Sequence, residues 1–221
     1  MQLNAVKKAA ALFFVIVTAL SLTKTAYGAD DLESVYKAVG ETISSRGAPS
    51  VGSAGGEWAV IGAARSGLAV PEEYYENVVA YVREHADENG RLHYAKSTDN
   101  SRVILALTAL GRDVTDVGGV DLLHALSDID YVQRQGINGS IWALIALDSR
   151  GYDALPTTRE ELVGAILNAQ LPDGGWNLSG TSADPDVTAM ALTALAPYYA
   201  EERAAVDAAL ARLSELQLDS G

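Results

Sequence analysis

The chain contains no cysteine. Disulfides, cysteine-ligated zinc and thioester chemistry are therefore excluded. Histidine is scarce: His85, His93 and His124 are the only three, and their spacing makes no HExxH metal motif. Basic residues are few as well. Sixteen Lys and Arg stand against 29 Asp and Glu, a formal net charge of −13. A surface this acidic repels nucleic acid and anionic membranes, so neither is an expected partner. No stretch sustains the apolar/polar alternation of a half-buried strand. No Gly-rich phosphate loop and no Ser–His–Asp spacing occurs. The run Asp87-Glu88-Asn89-Gly90 is far too short for an EF-hand loop and reads as a turn. No metal and no cofactor is expected.

What is present begins with an address. Residues 1–28 read as a secretory signal peptide: Lys7 and Lys8, an uncharged apolar run over 9–22, then small residues Ala26 and Gly28 ahead of a cleavage point. The apolar run is shorter than the roughly 20 residues of a bilayer span. That favours cleavage over an uncleaved anchor and leaves no integral span afterwards. No cysteine follows the run, so a lipoprotein anchor is excluded. Residues 29–221 suit one domain, more acidic than the whole because 1–28 carry three lysines and no acid. A cysteine-free exported chain fits secretion to, or display on, a bacterial cell surface.

The remainder is rich in Ala, Leu, Glu and Val, with helical periodicity throughout. Segments 31–45, 71–84, 157–169 and 200–216 predict amphipathic helices with one polar face each. Segments 56–67, 100–111, 138–151 and 185–196 alternate with them and are apolar or small on most sides, as buried helices are. Aligning the Ala-Leu cores of this second set makes Glu57, Ser101, Asn138 and Asp186 equivalent starting residues. Their intervals of 44, 37 and 48 residues indicate stacked helical pairs. The simplest role for these polar starts is N-capping. By that reading Asp186 caps its helix and Asp184 is a solvated turn residue.

The turns between the two kinds of helix share a pattern. QLPDGGW at 170–176 is the fullest copy. ADENGRL at 86–92 is weaker, with Ala86 for the Gln and Leu92 for the Trp. GAPSVGSAGGEW at 47–58 is looser, and QLDSG at 217–221 stops halfway. Such a turn reverses the chain tightly through glycine, and Trp176 offers a large apolar face to close the junction. Gln170, Gly174 and Trp176 are the expected structural motif.

Gln170-x3-Gly174-x-Trp176, with the helix that follows over 184–199, resembles the glutamine–tryptophan motif of squalene cyclases and other prenyltransferase-repeat proteins. The resemblance is strong at 161–199 and weak before 100. It implies an all-α fold, an α/α toroid. About four helical hairpins are present where a full ring has about six, so an incomplete ring truncated at the C-terminus is expected over 29–221. Asp184-Pro185-Asp186-Val187 followed by Met190-Ala191-Leu192 is most similar to repeat segments of exported Gram-positive surface proteins. Squalene cyclases carry Asp-x-Asp-Asp-Thr-Ala at this helix head. Here Asp186 holds the acid's place, but Val187 replaces the next carboxylate.

Three functions follow from these residues. The first is a non-catalytic binding or interaction module, holding an apolar or corrinoid-like ligand at the inner-helix mouth or docking another surface module. Trp58, Trp142, Trp176, Tyr198 and Tyr199 would form its wall, with Glu57, Ser101, Asn138, Asp184 and Asp186 at the rim. The second is a terpene cyclase with Asp186 as general acid. The third is a structural spacer that binds nothing. Unpaired ends of an open ring would favour a homodimer.

Overall fold

The computed structural model describes residues 32–42, 45, 49–52, 54–153 and 156–218. The expected signal peptide, part of the 47–58 turn and the end of the 217–221 turn lie outside them. The described residues hold helices and one isolated antiparallel bridge, Val117 to Val120, with no strand. The helices are α1 (32–42), α2 (Ala54–Arg65), α3 (Glu72–His85), α4 (Ser97–Ala109), α5 (Ile129–Gln133), α6 (Ile137–Asp148), α7 (Pro156–Asn168), α8 (Pro185–Leu195) and α9 (Arg203–Leu216). Among them no helix is long and apolar enough to cross a membrane.

The two expected kinds of helix are both present. α3 buries one stripe, Tyr74, Val78 and Val82, at a spacing of four. α4 and α6 are covered on almost every side. In α4 only Arg102 and Leu105 stay partly open between buried Ser101 and Leu107, and in α6 only Trp142 and Ile145 between buried Ile141 and Leu147. α2 packs on α4, α4 on α6, and α6 on α8, while α7 backs α6 and α9 backs α8.

The alternation of the two kinds of helix breaks between α4 and α6. Between α4 and α6 stand only a 3-10 turn, His124–Ser127, and the five-residue α5. Carboxylates of Asp113, Asp116 and Asp121 accept from backbone N–H groups of Thr115, Gly119 and Leu123. These local bonds compete with helix formation, and Gly118 and Gly119 both take positive φ.

The turns are built alike. At 170–176, Leu171 N–H donates to Gly175 O and Gly174 N–H to Leu171 O, each at 2.9 Å. At 86–92, Asp87 N–H donates to Arg91 O (3.1 Å) and Gly90 N–H to Asp87 O (2.9 Å). Gly174 has φ +90°, and a Cβ there would lie 2.9 Å from the Ala208 carbonyl of α9. Glycine is needed both for the dihedral and for the close approach. Gln170 Nε2 then donates to Gly174 O (2.7 Å) and Ala205 O (2.8 Å), tying the turn to α9. Trp176 is fully buried, and its Nε1–H donates to Ile166 O of α7 at 2.7 Å. The motif thus joins α7, α8 and α9. In the weaker copy Ala86 has no amide, and Asn100 of α4 supplies one: its Nδ2 donates to Gly90 O at 2.7 Å.

Candidate functional site

The open stripes of α2, α4 and α6 face one another around a cavity of about 580 Å³. α2 contributes Trp58, Ile61 and Arg65, at i, i+3 and i+7. Leu105, Thr108 and Ala109 come from α4, and Trp142 and Ile145 from α6, with Ser149 and Arg150 just beyond its end. Trp58 and Trp142 meet with ring centroids 5.0 Å apart, tilted at 60°. Adjacent packed helices sit about 8–10 Å apart. Side chains from α2 and α6 can meet over the intervening α4 only because the row is concave on this side. A half-exposed tryptophan pair over aliphatic side chains is a surface that apolar or planar ligands can cover.

The polar residues expected at the rim do other work. Glu57 is fully buried as the fourth residue of α2. One carboxylate oxygen accepts from Gly52 N–H at 2.7 Å, and the other faces Arg102 Nε at 3.5 Å, too poorly aligned for a hydrogen bond. Burial raises the Glu57 carboxyl above its ordinary value, opposed by the Gly52 N–H and Arg102. Ser101 is buried inside α4 and donates to Ser97 O. Neither residue caps a helix and neither lines the cavity. Asn138 is the second residue of α6, whose cap is Gly136 at φ +57°. Asp186 does not cap α8 either. Asp184 does, accepting from Val187 N–H at 2.9 Å, with Pro185 as the first helical residue. Proline is favoured there because its missing N–H would have no partner.

Burial also resets the register of the inner helices. Glu57, Ser101, Ile141 and Thr188 occupy matching buried positions, followed in each case by the first open residue: Trp58, Arg102, Trp142 and Ala189. Two members of this row, and the residue just before a third, accept from the preceding turn: Glu57 from Gly52, Thr188 from Trp176 at 2.9 Å, and Asn100 from Leu92 at 3.0 Å. The polar head is a staple for the turn. A replacement of Asp184 by alanine is expected to cost about 1 kcal/mol of unfolding free energy, the worth of an N-cap. Asp186→Ala should stay within about 0.5 kcal/mol in the same urea titration, as an exposed surface substitution does.

Tyr198 lies outside the cavity lining too. Its hydroxyl donates to Asp148 Oδ2 at 2.9 Å, and Asp148 Oδ1 accepts from Arg159 Nε at 2.7 Å. Burial, then the hydrogen bond to Asp148, push the Tyr198 phenol up to about 12. This triad ties α6 to α7 and to the segment after α8. An acid that protonates an alkene needs a water-excluded cavity. Asp186 is exposed and has no place in the groove. Among the described residues no cluster of three or more His, Asp or Glu is placed to hold a metal.

Of the expected wall residues, the structure brings Trp58 and Trp142 to the groove, whereas Trp176 is buried at the motif turn and Tyr198 and Tyr199 lie outside the lining. Arg65 and Arg150 join it without having been expected. These two arginines, 85 positions apart (65 to 150), are brought to one groove only by the fold. No known protein family, curated protein or solved structure matches this chain.

Proposed function

We propose that the chain is an exported binding module of the bacterial surface, built on an incomplete α/α toroid, which holds an apolar small molecule in the groove of α2, α4 and α6. The contact between Trp58 and Trp142 across α4 carries this reading. A spacer has no use for a concave face that leaves two tryptophans partly open, and covering them with a ligand removes apolar area from water. A cavity of about 580 Å³ is the size of small-molecule sites, roughly 300–1,000 Å³. The succession α2, α4, α6 and α8, with α7 behind α6 and α9 behind α8, supports an arrangement of inner and outer helices. The motif turn at 170–176 agrees with the resemblance to prenyltransferase-repeat proteins. The exposure of Asp186 weighs against the cyclase reading.

The test is saturable binding of a neutral apolar probe, a long-chain alcohol, followed by tryptophan fluorescence. The expected result is a single saturating isotherm that Trp142→Ala weakens at least about tenfold, a loss of about 1.4 kcal/mol. Binding that never saturates, or an isotherm that Trp142→Ala leaves alone, would remove the groove from the account.

A further inference from the structure

Resting on that reading, we infer that the groove is built for an amphipathic anion, with its apolar body over the tryptophan pair and its anionic oxygens at Arg65 and Arg150. The two ends of the groove differ in chemistry. Trp58 and Trp142 mark one end. Arg65 follows Trp58 by seven residues and Arg150 follows Trp142 by eight, and at about 1.5 Å per residue this places both guanidinium-bearing positions roughly 10–12 Å further along. Ile61, Leu105 and Ile145 fill the space between.

Charge is the second observation. The protein carries 29 acidic residues against 16 basic ones, yet the groove is lined by two arginines and no carboxylate. Neither arginine forms an ion pair among the described residues. Arg150 helps, after the bonds from Thr115, to lower the Asp113 carboxyl, but makes no contact at ion-pair distance with it. Asp148, next to the groove's end, is already engaged by Arg159 and Tyr198. Arg102 is held by Asp99 and Glu57 and stays out of the lining. Two guanidinium groups converging on one end of an apolar groove suit a carboxylate or phosphate head, which each can bind in a forked fashion. A purely apolar ligand leaves them unused.

Arg65 also lies in the last turn of α2, where a cation complements the helix dipole. That role needs no ligand and does not distinguish charged from neutral probes. The experiment therefore compares dodecanoate, dodecyl phosphate and dodecanol on the 221-residue chain, below their aggregation limits, with Arg65→Gln, Arg150→Gln and the double variant. Both anions are expected to bind at least tenfold more tightly than the alcohol, with higher salt narrowing the gap. The double variant should bring all three within about twofold, through loss of affinity for the two anions. Whichever anion binds tighter identifies the head group, and either supports the inference. Equal binding of alcohol and anions by the wild type overturns it, as does a double variant that leaves the anion preference intact. If none of the three binds, the groove reading fails together with it.

Discussion

Replacing Trp176 with alanine is expected to lower the unfolding free energy by about 4 kcal/mol, within the range for deleting a buried tryptophan. Trp176 heads the fully buried large side chains. It fills the junction of three helices, and its indole N–H satisfies the Ile166 carbonyl. The deletion thus opens a cavity and removes one of two hydrogen bonds at Ile166 O, whose other donor is Ala169 N–H at 3.2 Å. In a chain of this size each kcal/mol shifts the midpoint by about 2–4 °C, so the melting temperature should fall by roughly 8–16 °C. Trp176→Phe keeps most of the volume and loses only the indole bond to Ile166 O, which still accepts from Ala169 N–H, so it should cost about 0.5–1.5 kcal/mol. Trp58, 39% exposed, provides the contrast: Trp58→Ala should lose under about 1 kcal/mol of stability while weakening the groove. Urea titration of the three variants checks the order. A Trp176→Ala loss below about 1 kcal/mol would mean that the motif turn does not hold α7, α8 and α9 together.

The second large effect belongs to Glu57. Glu57→Ala should cost about 3 kcal/mol, because it leaves the Gly52 N–H without its acceptor and removes one of Arg102's two carboxylates. Glu57→Gln keeps an acceptor for Gly52 and separates the charge from the bond. Burial raises the folded-state value of this carboxyl above 4.5. The folded protein therefore holds the proton more firmly than the unfolded chain. This group's contribution to stability is complete below the unfolded value and is lost as pH rises through the raised one. The glutamine variant has no such loss. Measured against wild type by urea unfolding at pH 4 and pH 8, it should gain stability in relative terms at the higher pH. A difference independent of pH, or one of opposite sign, would show that Glu57 is not held as a desolvated acid.

Much of this architecture was legible from periodicity. The amphipathic segment at 71–84 becomes α3 within a residue at each end, because one spacing of apolar residues fits one face. The inner helices were found but not their phase. α6 is apolar nearly all round, so no polar face fixes its rotation, and Asn138 was aligned three residues away from the position that Ile141 holds. Phase decides which side chains are open, which is why Glu57 and Ser101 were expected at a rim and lie buried instead. The polar heads looked like caps because Ser, Asn and Asp are good caps. Their acceptors serve the preceding turn, a partnership set by how the turn folds back. Asn100 replaces the missing amide of Ala86 from fourteen positions away (86 to 100), a substitution with no local sequence signal. The groove itself was legible in its aromatic wall, Trp58 and Trp142. Its arginines come from the ends of two helices that are not neighbours in the chain.

The central claim is that a ligand lies along the stripes of α2, α4 and α6. A long-chain carboxylate bearing a photoreactive diazirine tests it most directly: equilibrate it with the 221-residue chain, irradiate, and map the labelled peptides by mass spectrometry. The account predicts covalent attachment within 58–65, 105–111 and 142–150, suppressed by excess unlabelled dodecanoate. Label concentrated instead on the exposed apolar residues Leu32, Leu178, Leu210 and Leu218, or spread without competition, would contradict it.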